Sequence, residues 1–134
     1  MPSTKNKQPL SILIVDDDIS LTVYMRNALL LDKHRVFLAV NEHGAQEVLK
    51  HETIDILLCD YILPGLDGLQ IINIVKQQPN APYCVLITGY TGQLKSKHPV
   101  VESADMVVSK PILRDTLKSI IHMYHLTDRK SSAV

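Results

Sequence analysis

Residues 12–18 read ILIVDDD, four consecutive apolar side chains closed by three acids. A strand with one wet face alternates apolar and polar residues. A run without alternation is covered on both faces, as in a parallel sheet sandwiched between helices. The pattern returns as VFLAV (36–40), the stretch from Ile54 to Cys59, and CVLI (84–87), with a weaker fifth run, MVV (106–108). Between the runs lie segments of helical period. Residues 19–31 carry Ile19, Val23, Leu29 and Leu30; residues 67–77 carry Leu69, Ile72, Ile74 and Val75 after Asp67, a residue type suited to an N-cap. Residues 112–125 carry Leu113, Leu117, Ile120, Ile121 and Tyr124 on one stripe. Strand and helix alternate about five times, which predicts a five-stranded doubly wound α/β domain. Residues 91–103 hold Gly92 and Pro99, and Pro99 breaks any helix that runs through it. The fourth helix is expected to be short, distorted or absent.

The 134 residues, 46% hydrophobic and 21% charged, suit one domain rather than two. We expect a flexible lead over 1–9, the folded domain over 10–126, and a polar tail or cut linker over 127–134. Fourteen Lys and Arg balance fourteen Asp and Glu, so the chain lacks the basic excess of a nonspecific nucleic-acid binder. No apolar run exceeds five residues, far below the roughly 20 that span a bilayer, and the lead has no apolar core of a secretory signal. The expectation is no direct nucleic-acid binding and no membrane. Cys59 and Cys84 form neither a disulfide framework nor a CxxC motif, so a reducing, cytoplasmic setting is expected, with both packed as small apolar groups.

In an open parallel sheet the chemistry gathers beyond the carboxyl ends of the strands, near the reversal of winding. The first strand ends in Asp16-Asp17-Asp18, the third in Asp60, the fourth in Thr88 and the fifth in Ser109-Lys110-Pro111. Crowded carboxylates repel unless they share a cation, and an all-oxygen donor set points to Mg²⁺. Asp18, just before a helix, is read as its N-cap and left out of the site. His122 and His125, three apart, have no acid or Cys partner at matching spacing and are read as surface residues.

With ILIVDD (12–17), DILLCDYILPGLDGL (55–69), VLITG (85–89) and SKP (109–111) in this order, the chain resembles the receiver domain of two-component response regulators over about Ser11 to Leu126. The resemblance implies a flavodoxin-like sheet of order 2-1-3-4-5 with helices on both faces. It implies Asp60 as phosphoryl acceptor, Asp17 as direct Mg²⁺ ligand and Asp16 as a ligand acting mainly through water. Ile62 would offer the metal its backbone carbonyl, Thr88 would hydrogen-bond a phosphoryl oxygen, Lys110 would pair with the phosphoryl charge, and the Lys110–Pro111 peptide would be cis. The donor would be a histidine kinase or histidine phosphotransfer protein; the output would pass to a downstream protein or to a C-terminal effector domain missing from this chain.

Three positions depart from the family pattern. Val107 stands where an aromatic residue is usual, so an aromatic rotamer switch cannot operate there, and we expect activation to order or displace residues 90–103 instead. Ile62 and Tyr90 flank the route of attacking water, and both exclude or fail to orient it, which predicts slow loss of phosphate. Two other functions are weighed. A phosphohydrolase with an aspartyl-phosphate intermediate needs a second Asp where Ile62 stands. An interaction module that has lost phosphorylation would not need the full set of site residues that this chain has.

Overall fold

A computed structural model of the chain describes residues 8–89 and 103–127. Along them run β1 (Ser11–Val15), α1 (Ile19–Leu31), β2 (Arg35–Ala39), α2 (Glu42–His51), β3 (Ile56–Asp60), α3 (Gly68–Lys76), β4 (Tyr83–Thr88), β5 (Met106–Ser109) and α4 (Arg114–His125). The five strands form one parallel sheet in the order β2-β1-β3-β4-β5, as expected. The winding reverses between β1 and β3, so their carboxyl ends border the crevice.

Side chains alternate between two cores, because successive strand residues point to opposite faces. Ile12, Ile14, Ile56, Leu58, Val85 and Ile87 pack with Met25 and Leu29 of α1 and Leu117, Ile120 and Tyr124 of α4. Leu13, Val15, Leu57, Cys59, Cys84 and Leu86 pack on the other face with Ala45 of α2 and Leu69, Ile72 and Val75 of α3. Both cysteines are buried and free, as the sequence suggested.

The N-caps read from the sequence are present. Leu21 N–H donates to the Asp18 carboxylate, and the Asp67 and Gln70 side chains form a reciprocal capping box at the start of α3. Three expectations are corrected. α1 buries Thr22, Met25, Ala28 and Leu29, leaving Ile19, Val23 and Leu30 exposed. The buried polar residue hides the period: the Thr22 hydroxyl donates to the Ile19 carbonyl and is thereby satisfied inside the core. β2 is not covered on both faces: an edge strand pairing only with β1, it leaves Leu38 exposed, and Val40 just past its end is exposed too. Leu113 precedes α4 and is exposed, and Ile74 of α3 is also exposed, so neither belongs to its helix's buried stripe. The fourth helix expected over 91–103 falls almost wholly outside the described residues, and so does Tyr90. Among the described residues no helix is long and apolar enough to cross a membrane.

At the amino edge of the sheet the Leu10 N–H donates to His34 Nδ1 at 3.1 Å, a bond that requires neutral imidazole. Burial holds the His34 pKa below its usual value, His125 adds to the effect, and Asp32 and Asp55 oppose it. As pH falls the unfolded chain therefore takes up this proton before the folded chain does, and stability falls below about pH 6.5. We predict that lowering pH from 7.5 to 5.5 reduces the urea midpoint of the wild type more than that of His34→Asn, whose amide oxygen accepts without titrating; equal reductions would contradict this.

Candidate functional site

β1 delivers Asp16 and Asp17 directly after its last residue, and β3 ends on Asp60, one step beyond the Val15–Cys59 pairing. Asp16 is held from both sides: its own N–H donates to the Ala39 carbonyl, and its Oδ1 accepts from Asp18 N–H at 2.9 Å. Carboxylate oxygens of Asp16, Asp17 and Asp60 all lie within 4.8 Å of one another, the one such group of three or more potential metal-binding side chains among the described residues. Asp16 and Asp60 are buried, whereas Asp17 is exposed. Asp18 caps α1 and stays outside the group, and so do His122 and His125.

The opposite wall comes from β4 and β5. Thr88, buried, ends β4 beside Ser109, and Lys110 N–H donates to the Thr88 carbonyl. That bond carries the lysine across the crevice, where its Nζ lies 3.1 Å from Asp60 Oδ1. The Lys110–Pro111 peptide is cis, as expected. A pocket of about 300 Å³ is lined by Asp60, Tyr61, Ile62, Thr88, Gly89 and Lys110, so an incoming group has room beside Asp60. The Ile62 side chain is 57% exposed at its rim.

The charges are out of balance. Burial pushes the Asp16 pKa up to about 6; Asp60 adds to the rise, against the Asp18 N–H and Lys110. Asp60 is raised as well, chiefly by burial and further by Asp17, with Lys110 pulling the other way. Burial disfavours the Lys110 charge, but the neighbouring acids, Asp60 first, outweigh it and leave its pKa raised. Asp16 Oδ2 is buried without a hydrogen-bond partner. A buried carboxylate oxygen without a donor is costly. Two acids, a third within reach and an orphaned oxygen make a donor set that fits a hard divalent cation such as Mg²⁺.

Gly68 opens α3 directly against the end of β3. A Cβ at this position would collide with the Asp60 carbonyl oxygen, and the Gly68 N–H donates to the Tyr61 carbonyl at 2.7 Å. The first residue of α3 thus rests on the peptide that carries Asp60. The readable signal is a glycine directly after a helix-capping acid, eight residues past a strand-end aspartate.

The family model for the response regulator receiver domain matches residues 12–122. The chain belongs to this family. Among curated proteins, this receiver is 28% identical to a cyclic di-GMP phosphodiesterase of Thermotoga maritima, with 91% of the chain covering 35% of that protein. It is 30% identical to the CAI-1 autoinducer sensor kinase/phosphatase CqsS of Vibrio cholerae, with 87% of the chain covering 18%. The chain thus spans about a third or less of the length of these relatives. Among solved structures, a CheY-like receiver domain protein from Methanospirillum hungatei superposes with a TM-score of 0.80 at 21% identity, covering 93% of this chain and 99% of that one. The Thermotoga maritima response regulator TrrA, in complex with Mg²⁺-BeF, superposes with a TM-score of 0.77 at 23% identity, covering 86% and 98%. These likenesses establish the receiver fold.

Because backbone must yield to any Cβ at position 68, Gly68→Ala is predicted to destabilise the receiver by about 2 kcal/mol in denaturant unfolding. A change below about 0.5 kcal/mol would show that α3 shifts freely away from β3.

Proposed function

We propose that this receiver accepts a phosphoryl group on Asp60 from the phosphohistidine of a histidine kinase or histidine phosphotransfer protein. The observation that carries the reading is the convergence of Asp16, Asp17 and Asp60 with Lys110 Nζ 3.1 Å from the acceptor and one Asp16 oxygen left buried without a donor. An Asp60 carboxylate oxygen attacks phosphorus, the phosphorus–nitrogen bond of the donor breaks, and the departing imidazole keeps the electron pair and takes a proton. The product is a mixed anhydride on Asp60.

Asp16, Asp17, Asp60 and the Ile62 carbonyl are the groups that would hold Mg²⁺, Asp16 mainly through water. The bound ion supplies neutralisation of the charge that otherwise keeps a phosphate from a carboxylate. A receiver domain of a Pseudomonas aeruginosa sensor histidine kinase has a magnesium ion coordinated in its active-site cleft, which supports this choice of metal.

Phosphorylation adds close to two negative charges and three acceptor oxygens beside Lys110 and Thr88. Lys110 is already engaged by Asp60 Oδ1 in the unmodified protein, so its gain is an exchange of a carboxylate for a more highly charged partner. Thr88 would donate to a phosphoryl oxygen. Differential contacts of this kind are what shift a two-state equilibrium toward the signalling state. The domain is thus a phosphoacceptor that promotes its own phosphorylation and dephosphorylation, in the cytoplasm, and hands its state to a downstream protein or to an effector domain. Val107, 38% exposed on β5, offers no aromatic ring for a rotamer switch. Ile62 beside the acceptor offers attacking water no polar group, which lengthens the life of the phosphoprotein.

Intact mass after incubation with Mg²⁺ and acetyl phosphate tests the reading. We predict one phosphoryl adduct that needs Mg²⁺, is absent from Asp60→Asn, and decays several-fold faster in Ile62→Asn. An adduct persisting in Asp60→Asn would refute the acceptor. Failure to accept phosphate both from acetyl phosphate and from a panel of phosphohistidine proteins would favour an interaction module that does not use phosphorylation.

A further inference from the structure

We propose that the groove between α1 and α4, at the sheet edge opposite Asp60, binds a small organic anion: a phosphate or carboxylate carried on an apolar body. The groove is about 700 Å³, a size typical of small-ligand sites. Leu31 and Ile121 give it an apolar lining, and Lys33, His34, Lys118 and His122 give it cations and donors.

Three observations say these polar groups are available for a ligand. First, five of the helix-end carbonyls that basic side chains could have served already accept from the chain itself. At the end of α1 the N–H groups of Asp32, Lys33 and His34 donate to Leu29 and Leu30, and at the end of α4 Leu126 N–H and the Thr127 backbone and hydroxyl donate to His122, Met123 and Tyr124. Neither Lys33 nor Lys118 forms an ion pair among the described residues. The one acid on the groove, Asp32, is engaged by Arg114.

Second, His34 can act toward a ligand only as a donor. Its Nδ1 accepts from Leu10 N–H, so the neutral ring carries its proton on Nε2. This excludes His34 as a metal ligand and suits it to an anion. Third, Lys33 stands with φ of +71°, the left-handed conformation that closes α1 and that glycine adopts without strain. Lys33 lines the groove from this turn, where glycine would close the helix at less backbone cost.

The inference is independent of phosphorylation at Asp60. Amide ¹H–¹⁵N spectra of the full chain, titrated without Mg²⁺ with phenyl phosphate, benzoate and inorganic phosphate, test it. We expect saturable shifts at Lys33, His34 and Lys118, with phenyl phosphate or benzoate binding more tightly than inorganic phosphate; the better of the two identifies the headgroup. Lys33→Gly should weaken binding about tenfold, the loss of one charged contact, without lowering the unfolding midpoint. Lys118→Gln should weaken it too. Absence of saturable shifts, shifts gathered around Asp60 and Thr88, or unchanged affinity in both variants would overturn the proposal.

Discussion

Mutual repulsion of Asp16, Asp17 and Asp60 is the constraint around which this receiver is organised. Two carboxylates about 5 Å apart repel by about 3 kcal/mol at an effective dielectric constant near 20. A single hydrogen bond contributes about 1 kcal/mol, or about twice that to a charged group, so the Asp18 N–H on Asp16 does not offset the repulsion alone. Lys110 supplies part of the balance from across the crevice. Burial first, and the neighbouring acids after it, raise the pKa values of Asp16 and Asp60, and one Asp16 oxygen stays buried without a partner. A cation is the natural complement of such a site.

The fold holds this arrangement together by making its walls rigid. β1, β3 and β4 are buried along their full length, so the residues that follow them have little freedom to relax apart. Asp60 is fixed further by α3, whose first residue touches the Asp60 carbonyl closely enough that only glycine fits. Lys110 is tied to β4 through the Thr88 carbonyl, which sets where its ammonium can reach. Repulsion is tolerated because two apolar cores, one on each face of the sheet, resist the movements that would relieve it.

Much of this was legible in the sequence, and the reasons divide along physical lines. The parallel sheet was readable because ILIV, ILLC and CVLI are buried on both faces and cannot alternate. The edge position of β2 was not, since VFLAV reads the same whether or not a neighbour covers it. The period of α1 failed at Thr22, whose hydroxyl is satisfied by its own helix, and at Ala28, too small to mark a buried face. α2 was not singled out, for it buries only Ala45 among its ten residues. The acids, Thr88 and Lys110 were readable as strand ends. The close seat of Gly68 on Asp60 depends on the path of the β3–α3 loop, and the groove joins Lys33 to Lys118 across 85 positions of chain, so neither was.

We propose Asp60, among three crowded acids, as the one that carries the phosphoryl group. Borohydride reduction after phosphotransfer in the presence of Mg²⁺ converts an acyl phosphate to an alcohol and marks the modified aspartate permanently as homoserine. Peptide sequencing then reads the position. We predict homoserine at position 60 and at no other acid; homoserine at position 16 or 17, or a phosphorylated protein that yields none, would rule Asp60 out as the acceptor.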